Sequence, residues 1–311
     1  QAGDQFGYSV DIDGDRAIVG AWNTDGFDRG FAILFERVGG VWTESVRVKP
    51  AGVGDFDQFG VSVAIAGDMA VVGAPGADTV WLFYDDGSGF AEYRSFTGQG
   101  GSEFGAAVDV TRYDAGGTTG TYEYMIAVGA PDHFTSGLGT TGLVVVHFRE
   151  LMTGSWNGDA LRGASTVDGD RFGAAVSIDG TFHPYLAVGS PNANAYAGTA
   201  HLFDFTVGWG ELQELQPAAG VATDAAFGAS ISIVGDGSTA EVLVGAPGDD
   251  GAASALGDGA AYLFEKTASG IDEGDTFFAS GGGAGDNFGS AVALDNRTWD
   301  LAMIGAPNAD V

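Results

Sequence analysis

FGYSVDIDGDRAIVGAW, residues 6–22, sets a Phe-Gly pair and a Gly-Ala-Trp triplet at the two ends of a short alternating segment. Residues 6–12 alternate as a strand, Asp13-Gly14-Asp15 turns the chain, and residues 16–21 return as small and β-branched side chains. The unit reads as a tight hairpin. Five more copies follow, opened by Phe59-Gly60, Phe104-Gly105, Phe172-Gly173, Phe227-Gly228 and Phe288-Gly289. They close on Gly73-Ala74-Pro75, Gly129-Ala130-Pro131, Gly189-Ser190-Pro191, Gly245-Ala246-Pro247 and Gly305-Ala306-Pro307. Repetition at roughly 45 to 70 residues predicts blades or a solenoid.

Outward from the hairpin, residues 30–37 (GFAILFER) predict a third strand, Val38-Gly39-Gly40 a turn, and residues 41–48 a fourth strand. The third strand recurs at residues 78–84, 142–148, 198–205 and 259–265, and the fourth opens near Trp42, Phe90, Trp156 and Trp209. The expected fold is therefore all-β: a β-propeller of four-stranded antiparallel blades, one domain over residues 1–311. Blades are expected near 1–50, 51–98, 99–165, 166–219 and 220–281. A sixth repeat, 282–311, stops after its second strand. An open blade edge invites association, so the chain is expected to be part of a longer protein or of an assembly.

Composition narrows the partners. The net charge is −30, from 42 acidic against 12 basic residues, and Lys49 and Lys266 are the only lysines. Such a surface repels phosphate backbones and anionic headgroups, so neither nucleic acid binding nor membrane insertion is expected. With no cysteine, disulfides and thiol chemistry are excluded, while the compartment is left open. No run is long enough for a transmembrane helix, and no basic-then-apolar leader precedes Phe6; any signal sequence is expected to have been removed or not included.

The paired motifs, each followed by a strand such as AYLFE, resemble the FG-GAP repeats of integrin α-subunit propellers and of microbial secreted and surface proteins. The resemblance implies seven blades in the full propeller, an extracellular or cell-surface location, and a role as an interaction platform. The residues themselves explain the motif: Phe fills the wedge between blades, and Gly lets backbones approach where a side chain would clash. Pro ends the ladder and turns the chain into the loop between strands two and three.

Members of that family often carry a calcium loop, Asp-x-Asp-x-Asp-Gly-x-x-Asp, in the hairpin between strands one and two. Calcium needs six to eight oxygens, and most of the turns here are too short to wrap it. The third hairpin is expected to carry a long insertion, residues 109–124, with few acids; the sixth, with Asp295 and Asp300, comes nearest. Calcium candidates then move to the loops at 23–28 and 249–258, as Asn23, Asp25, Asp28, Asp249, Asp250 and Asp258.

A second acidic pattern flanks the motif. Asp4, Asp57, Asp170 and Asp286 stand two residues before the Phe, and Asp25, Asp78, Asn194, Asp250 and Asp310 stand five after the closing Gly. In a four-stranded blade both positions lie at one end, so these acids are expected to ring one face. They either close turns by bonding their own backbone or receive Ca²⁺ or a cationic partner.

Catalytic spacing is missing. His147 and His201 fall within third strands, His133 and His183 within loops, with no second His at ligand spacing; no Gly-x-Ser-x-Gly elbow or phosphate loop occurs. The expected function is a non-catalytic extracellular or cell-surface module for adhesion or assembly, binding proteins or further copies through its loop face and its incomplete edge. Two alternatives are the propeller portion of an extracellular carbohydrate- or lipid-active enzyme and a lectin-like propeller. A lectin requires exposed aromatics in equivalent loops, and Trp22 and Phe27 mark only one blade.

Overall fold

Five four-stranded antiparallel sheets follow one another along the chain in the computed structural model, which describes all residues except 1–2, 25, 114–121, 151–152, 181–182, 207, 250–257, 281–282, 284, 296–300 and 310–311. Blade one comprises Ser9–Asp13, Arg16–Ala21, Phe31–Val38 and Val41–Val48; blade two Ser62–Ala66, Met69–Ala74, Thr79–Asp85 and Phe90–Thr97. Blade three comprises Ala107–Arg112, Tyr122–Ala130, Leu143–Glu150 and Trp156–Leu161; blade four Ala175–Asp179, Tyr185–Ser190, Thr199–Phe205 and Trp209–Leu215. Blade five comprises Ser230–Gly235, Ala240–Ala246, Ala260–Thr267 and Gly270–Phe278, and the sixth repeat contributes Ala291–Asp295 and Leu301–Gly305. Strands pair in chain order within each blade, and the first strands of consecutive blades lie side by side. No helix among the described residues is long and apolar enough to cross a membrane.

A boundary in blade three differs from the sequence reading. Asp109 pairs with Ala127 inside blade three, so it is a strand residue and not part of an insertion. The buried Val108 and Val110 on either side continue the strand's alternation past the point where the reading ends it. Blade three also carries an extra two-stranded hairpin, Phe134–Thr135 with Gly139–Thr140, in its loop between strands two and three.

The cores sit between blades. Ile18, Leu34 and Val48 of blade one pack against Phe59, Ile65 and Phe83 of blade two, and the same arrangement recurs between each later pair up to blades four and five. The repeat motif builds these joints. In every copy the N–H of the Phe-Gly glycine donates to the carbonyl of its own blade's Gly-Ala glycine, as in Gly60 to Gly73 at 2.9 Å and Gly173 to Gly189 at 3.0 Å. The same glycine's carbonyl lies against the Gly-Ala glycine of the preceding blade, where any Cβ would overlap it: Gly20 meets Gly60, Gly129 meets Gly173, and Gly189 meets Gly228. Two glycines per repeat thus set the blade spacing.

The motif Phe rests on its own third strand and is covered by the blade before. Phe172 meets Phe203 edge-on at 6.1 Å, while a parallel bridge ties it to Gly142 of blade three. Phe59, Phe172 and Phe227 are fully buried.

Candidate interaction face

The turn leading into each blade has the form Gly-Asp-x-Phe-Gly or a variant of it. The third residue before the Phe and the one just before it take positive φ in all six repeats: Gly101 (76°) and Glu103 (56°), or Gly169 (89°) and Arg171 (58°). The acid between them closes the turn. Asp57 Oδ2 accepts from the Gly54 N–H at 2.6 Å, Asp170 Oδ2 from Val167 at 2.7 Å, and Asp286 Oδ2 from Gly283 at 2.7 Å. Burial pushes the Asp170 carboxyl above its ordinary range.

Blade three has Ser102 where those carboxylates stand, and Asp78 takes over from the neighbouring loop. Its buried side chain accepts from the N–H groups of Gly101 (2.6 Å), Ser102 (2.8 Å) and Phe104 (3.2 Å), and from the Ser102 hydroxyl (3.0 Å). Asn194 is exposed with φ of 53°. Asp4 occupies the equivalent turn before blade one, and Asp310 lies outside the described residues.

The described members of both series share one end of the molecule. Backbone bonds join the blade entrance to the loop between strands two and three: Gly76 N–H to Asp57, Asn192 to Asp170, and Asn308 to Asp286. Chemically Asp57, Asp78, Asp170 and Asp286 are spent on closing turns, because a carboxylate holding backbone N–H groups has fewer lone pairs for a ligand.

The described calcium candidates do not converge. Asp249 is almost fully buried and accepts from the Tyr262 hydroxyl and from the Ala222 N–H at 3.3 Å; burial, and next that carboxylate, push the Tyr262 phenol up. Asp28 has φ of 52° and binds Gln58 through its backbone carbonyl, Asp258 binds Phe288 in the same way, Asn23 is half-buried, and Asp295 ends a strand. Asp25, Asp250 and Asp300 lie outside the described residues. Among the described residues no three His, Asp or Glu side chains are grouped to hold a metal. The described members of the proposed set do not fit a cage of six to eight oxygens.

The sequence reading noted Phe27 in one loop and missed the other aromatics on this end. Phe27, Phe134 and Tyr196 in the loops of blades one, three and four, and Phe56 at the entrance to blade two, are all about half exposed or more. Phe27 and Tyr196 both stand seven residues after their closing Gly, a signal present in the sequence. Trp22 is not among them: it packs edge-on against Tyr8 and donates to Gln5 at 3.1 Å. At Phe27 the protein displays the chemistry such a face can do, since the Arg29 guanidinium lies 5.3 Å over the ring and pairs with Asp55.

The strand histidines lie inside the blades. His147 stacks on Phe96 at 3.9 Å, and burial lowers it to about 4. His201 is fully buried between Glu211 (2.8 Å) and Thr199 (3.3 Å).

Comparison with known proteins places the scaffold. The FG-GAP repeat model matches residues 1–35, 42–91 and 209–264. A search of curated proteins finds no match. Among solved structures, a crystal structure of a protein from Lactobacillus plantarum is similar to this chain with a TM-score of 0.51 and 14% identity, over 88% of this chain and 72% of that one. At that identity the likeness shows fold alone. The motif in all six repeats, model matches in the first, second, fourth and fifth, and blade-like sheets throughout show FG-GAP repeats on a β-propeller fold.

Proposed function

We propose that the chain is a non-catalytic, extracellular or cell-surface interaction module that engages a protein partner through the end carrying Phe27, Phe56, Phe134 and Tyr196. The observation that carries this reading is the exposed aromatic set on one end of a strongly acidic molecule. Aromatic rings beside carboxylates suit a partner segment rich in Arg or Lys, which can stack on the ring and pair with the acid. Long-range attraction by the net charge of −30 would speed the encounter.

The test is binding to an arginine-rich peptide and to a glutamate-rich one at two salt concentrations, with Phe56→Ser/Phe134→Ser/Tyr196→Ser compared with Val38→Ser/Val41→Ser at the opposite end. A preference for the basic peptide that weakens with salt and falls at least about tenfold in the first variant alone is expected. Equal loss in both variants overturns the reading. A lectin-like second reading draws on the same aromatics, now found in three loops of one end. Salt-insensitive binding to a neutral glycan array, lost in the same variant, would favour it.

A further inference from the structure

The inner strands carry a second repeat that neither the motif nor the interaction face uses. Five residues past each motif Phe stand Asp11, Ala64, Asp109, Ser177, Ser232 and Ala293. One residue further on, each inner strand from blade one to the sixth repeat presents a backbone N–H at the joint, and every one of these is capped by a side chain. Asp11 caps two: Oδ1 accepts from its own Ile12 at 2.8 Å and Oδ2 from Ile65 of blade two at 2.7 Å. Asp109 likewise accepts from Val110 at 2.8 Å and from Ile178 of blade four at 2.7 Å. Ser177 caps Ile233, and Ser232 caps Leu294.

The residue types follow from this arithmetic. A hydroxyl suffices where the preceding blade has already capped the strand's own N–H, whereas a two-oxygen carboxylate is needed where the preceding blade offers only a methyl group. Ala64 leaves Val110 to Asp109 in that way. We propose that Asp11 and Asp109 are proton-responsive double caps that tie the inner strands of blades one to two and three to four, while the equivalent caps at the later joints, Ser177 and Ser232, are hydroxyls that do not titrate in this range.

The surroundings of the two carboxylates favour protonation. Burial dominates at both, and the bonds from Ile65, Ile12, Ile178, Val110 and Ser177 only partly offset it; Asp13 further raises Asp11, and Asp11 in turn raises Asp109 from two blades away. The other acid nearby on the inner strands, Asp179, caps Gly235 at 2.9 Å, and Asp13 caps Gly67 at 2.7 Å. Of the neighbouring arginines, Arg16 points away to Asp68 and Asp85, and Arg112 ends its strand beside Tyr124. Asp11 lies at about 6 and Asp109 at about 7, against 3.8 for an ordinary aspartate. The folded state therefore holds these protons more tightly than the unfolded chain between pH 7 and 4. Stability from this source is gained as pH falls through about 7 toward about 4, by at most about tenfold in the unfolding equilibrium per group per pH unit.

Thermal melts of the full chain from about pH 8 to about pH 5.5, on either side of the two carboxyl values, test this, with wild type compared with Asp11→Asn, Asp109→Asn and the pair. A rise in melting temperature on acidification that shrinks in each single variant and most in the pair is expected. Asn cannot replace both acceptors, so Ala64→Ser/Asp109→Ser is a second arm that does not depend on the Asn variants folding. The hydroxyl introduced at position 64 would cap Val110 and the one introduced at position 109 would cap Ile178, as Ser177 and Ser232 cap their neighbours. This double variant should fold, melt above Asp109→Ser alone, and lose the pH response of that joint. An unchanged pH response in the variants, or no rescue of Asp109→Ser by Ala64→Ser, overturns the proposal.

Discussion

Phe6 and Phe59 occupy the same place in their repeats, and both sit edge-on to a Phe of their own third strand, at 6.5 Å from Phe35 and 6.3 Å from Phe83. Yet Phe59 is fully buried and Phe6 is 54% exposed. The difference is the neighbour: Gly30 of blade one bridges to Phe59, and no described blade covers Phe6. Gly-Ala glycines split in the same way, since a Cβ on Gly129 would overlap Gly173, whereas on Gly305 the nearest atom is 3.6 Å away in its own blade. The repeat motif thus acts as a joint between blades.

The largest expected effect breaks a joint by removing its wedge. Phe172→Ala should cost about 3–5 kcal/mol, the range for large aromatic truncation in a core, while Phe6→Ala should cost less than about 1 kcal/mol. Urea unfolding with unchanged slope measures the difference. Comparable costs at the two sites would place the motif's energy inside the blade. Next comes the spacer. Gly189→Ala has ordinary backbone angles, so its cost, about 1–3 kcal/mol, comes from pushing blades four and five apart at Gly228. Gly305→Ala should stay within about 0.5 kcal/mol.

Much of this is legible in the residues. Six hairpins, five four-stranded blades and a half sixth follow from strand-length runs punctuated by glycine, because short-range alternation and turn chemistry agree at every repeat. The placement of Asp57, Asp170 and Asp286 at one end is also readable, since antiparallel order fixes which loops share a face. What each acid does is not. Whether Asp78 closes a turn in its own blade or in the next depends on Ser102, 24 residues on, and no local pattern encodes that. Asp109 reads as loop because its strand is followed by a long polar run, and only pairing with Ala127 fixes it. The inner caps escape because Asp, Ser and Ala at one position look like drift until the N–H groups they serve are counted.

A smaller effect separates the joint between blades two and three from the others. His147 stands where Phe35, Phe83, Phe203 and Phe264 stand, facing Phe104 at 6.2 Å as they face their own motif Phe. Its folded-state value of about 4 lies below the ordinary 6.5, so the unfolded chain binds the proton first, and stability is lost as pH falls from 6.5 toward 4. The slope is at most about 1.4 kcal/mol per pH unit. His147→Phe should remove that loss with the packing kept, and it also isolates the opposite slope from Asp11 and Asp109. An unaltered acid limb in melting curves would show that the His147 ring is solvated.

The smallest effect concerns the entrance turns, which use glycine at the third residue before the Phe in four repeats but Phe56 (φ 66°) and Asp224 (φ 68°) in the other two. A side chain held at such angles costs about 1–2 kcal/mol, part of which returns as unfolded-chain freedom when glycine replaces it. Phe56→Gly and Asp224→Gly should therefore each stabilise by about 0.5–1 kcal/mol, read as a rise in melting temperature. Phe56 is 64% exposed and gives up little burial. The two turns then part company. If the aromatic end binds a partner, Phe56→Gly should gain stability and lose affinity, whereas Asp224→Gly should gain stability alone. A strained aromatic kept in the open at a site where glycine fits better is what a binding role would maintain and a packing role would not. Equal gains with no loss of binding in either variant would reduce Phe56 to an unrelieved local strain.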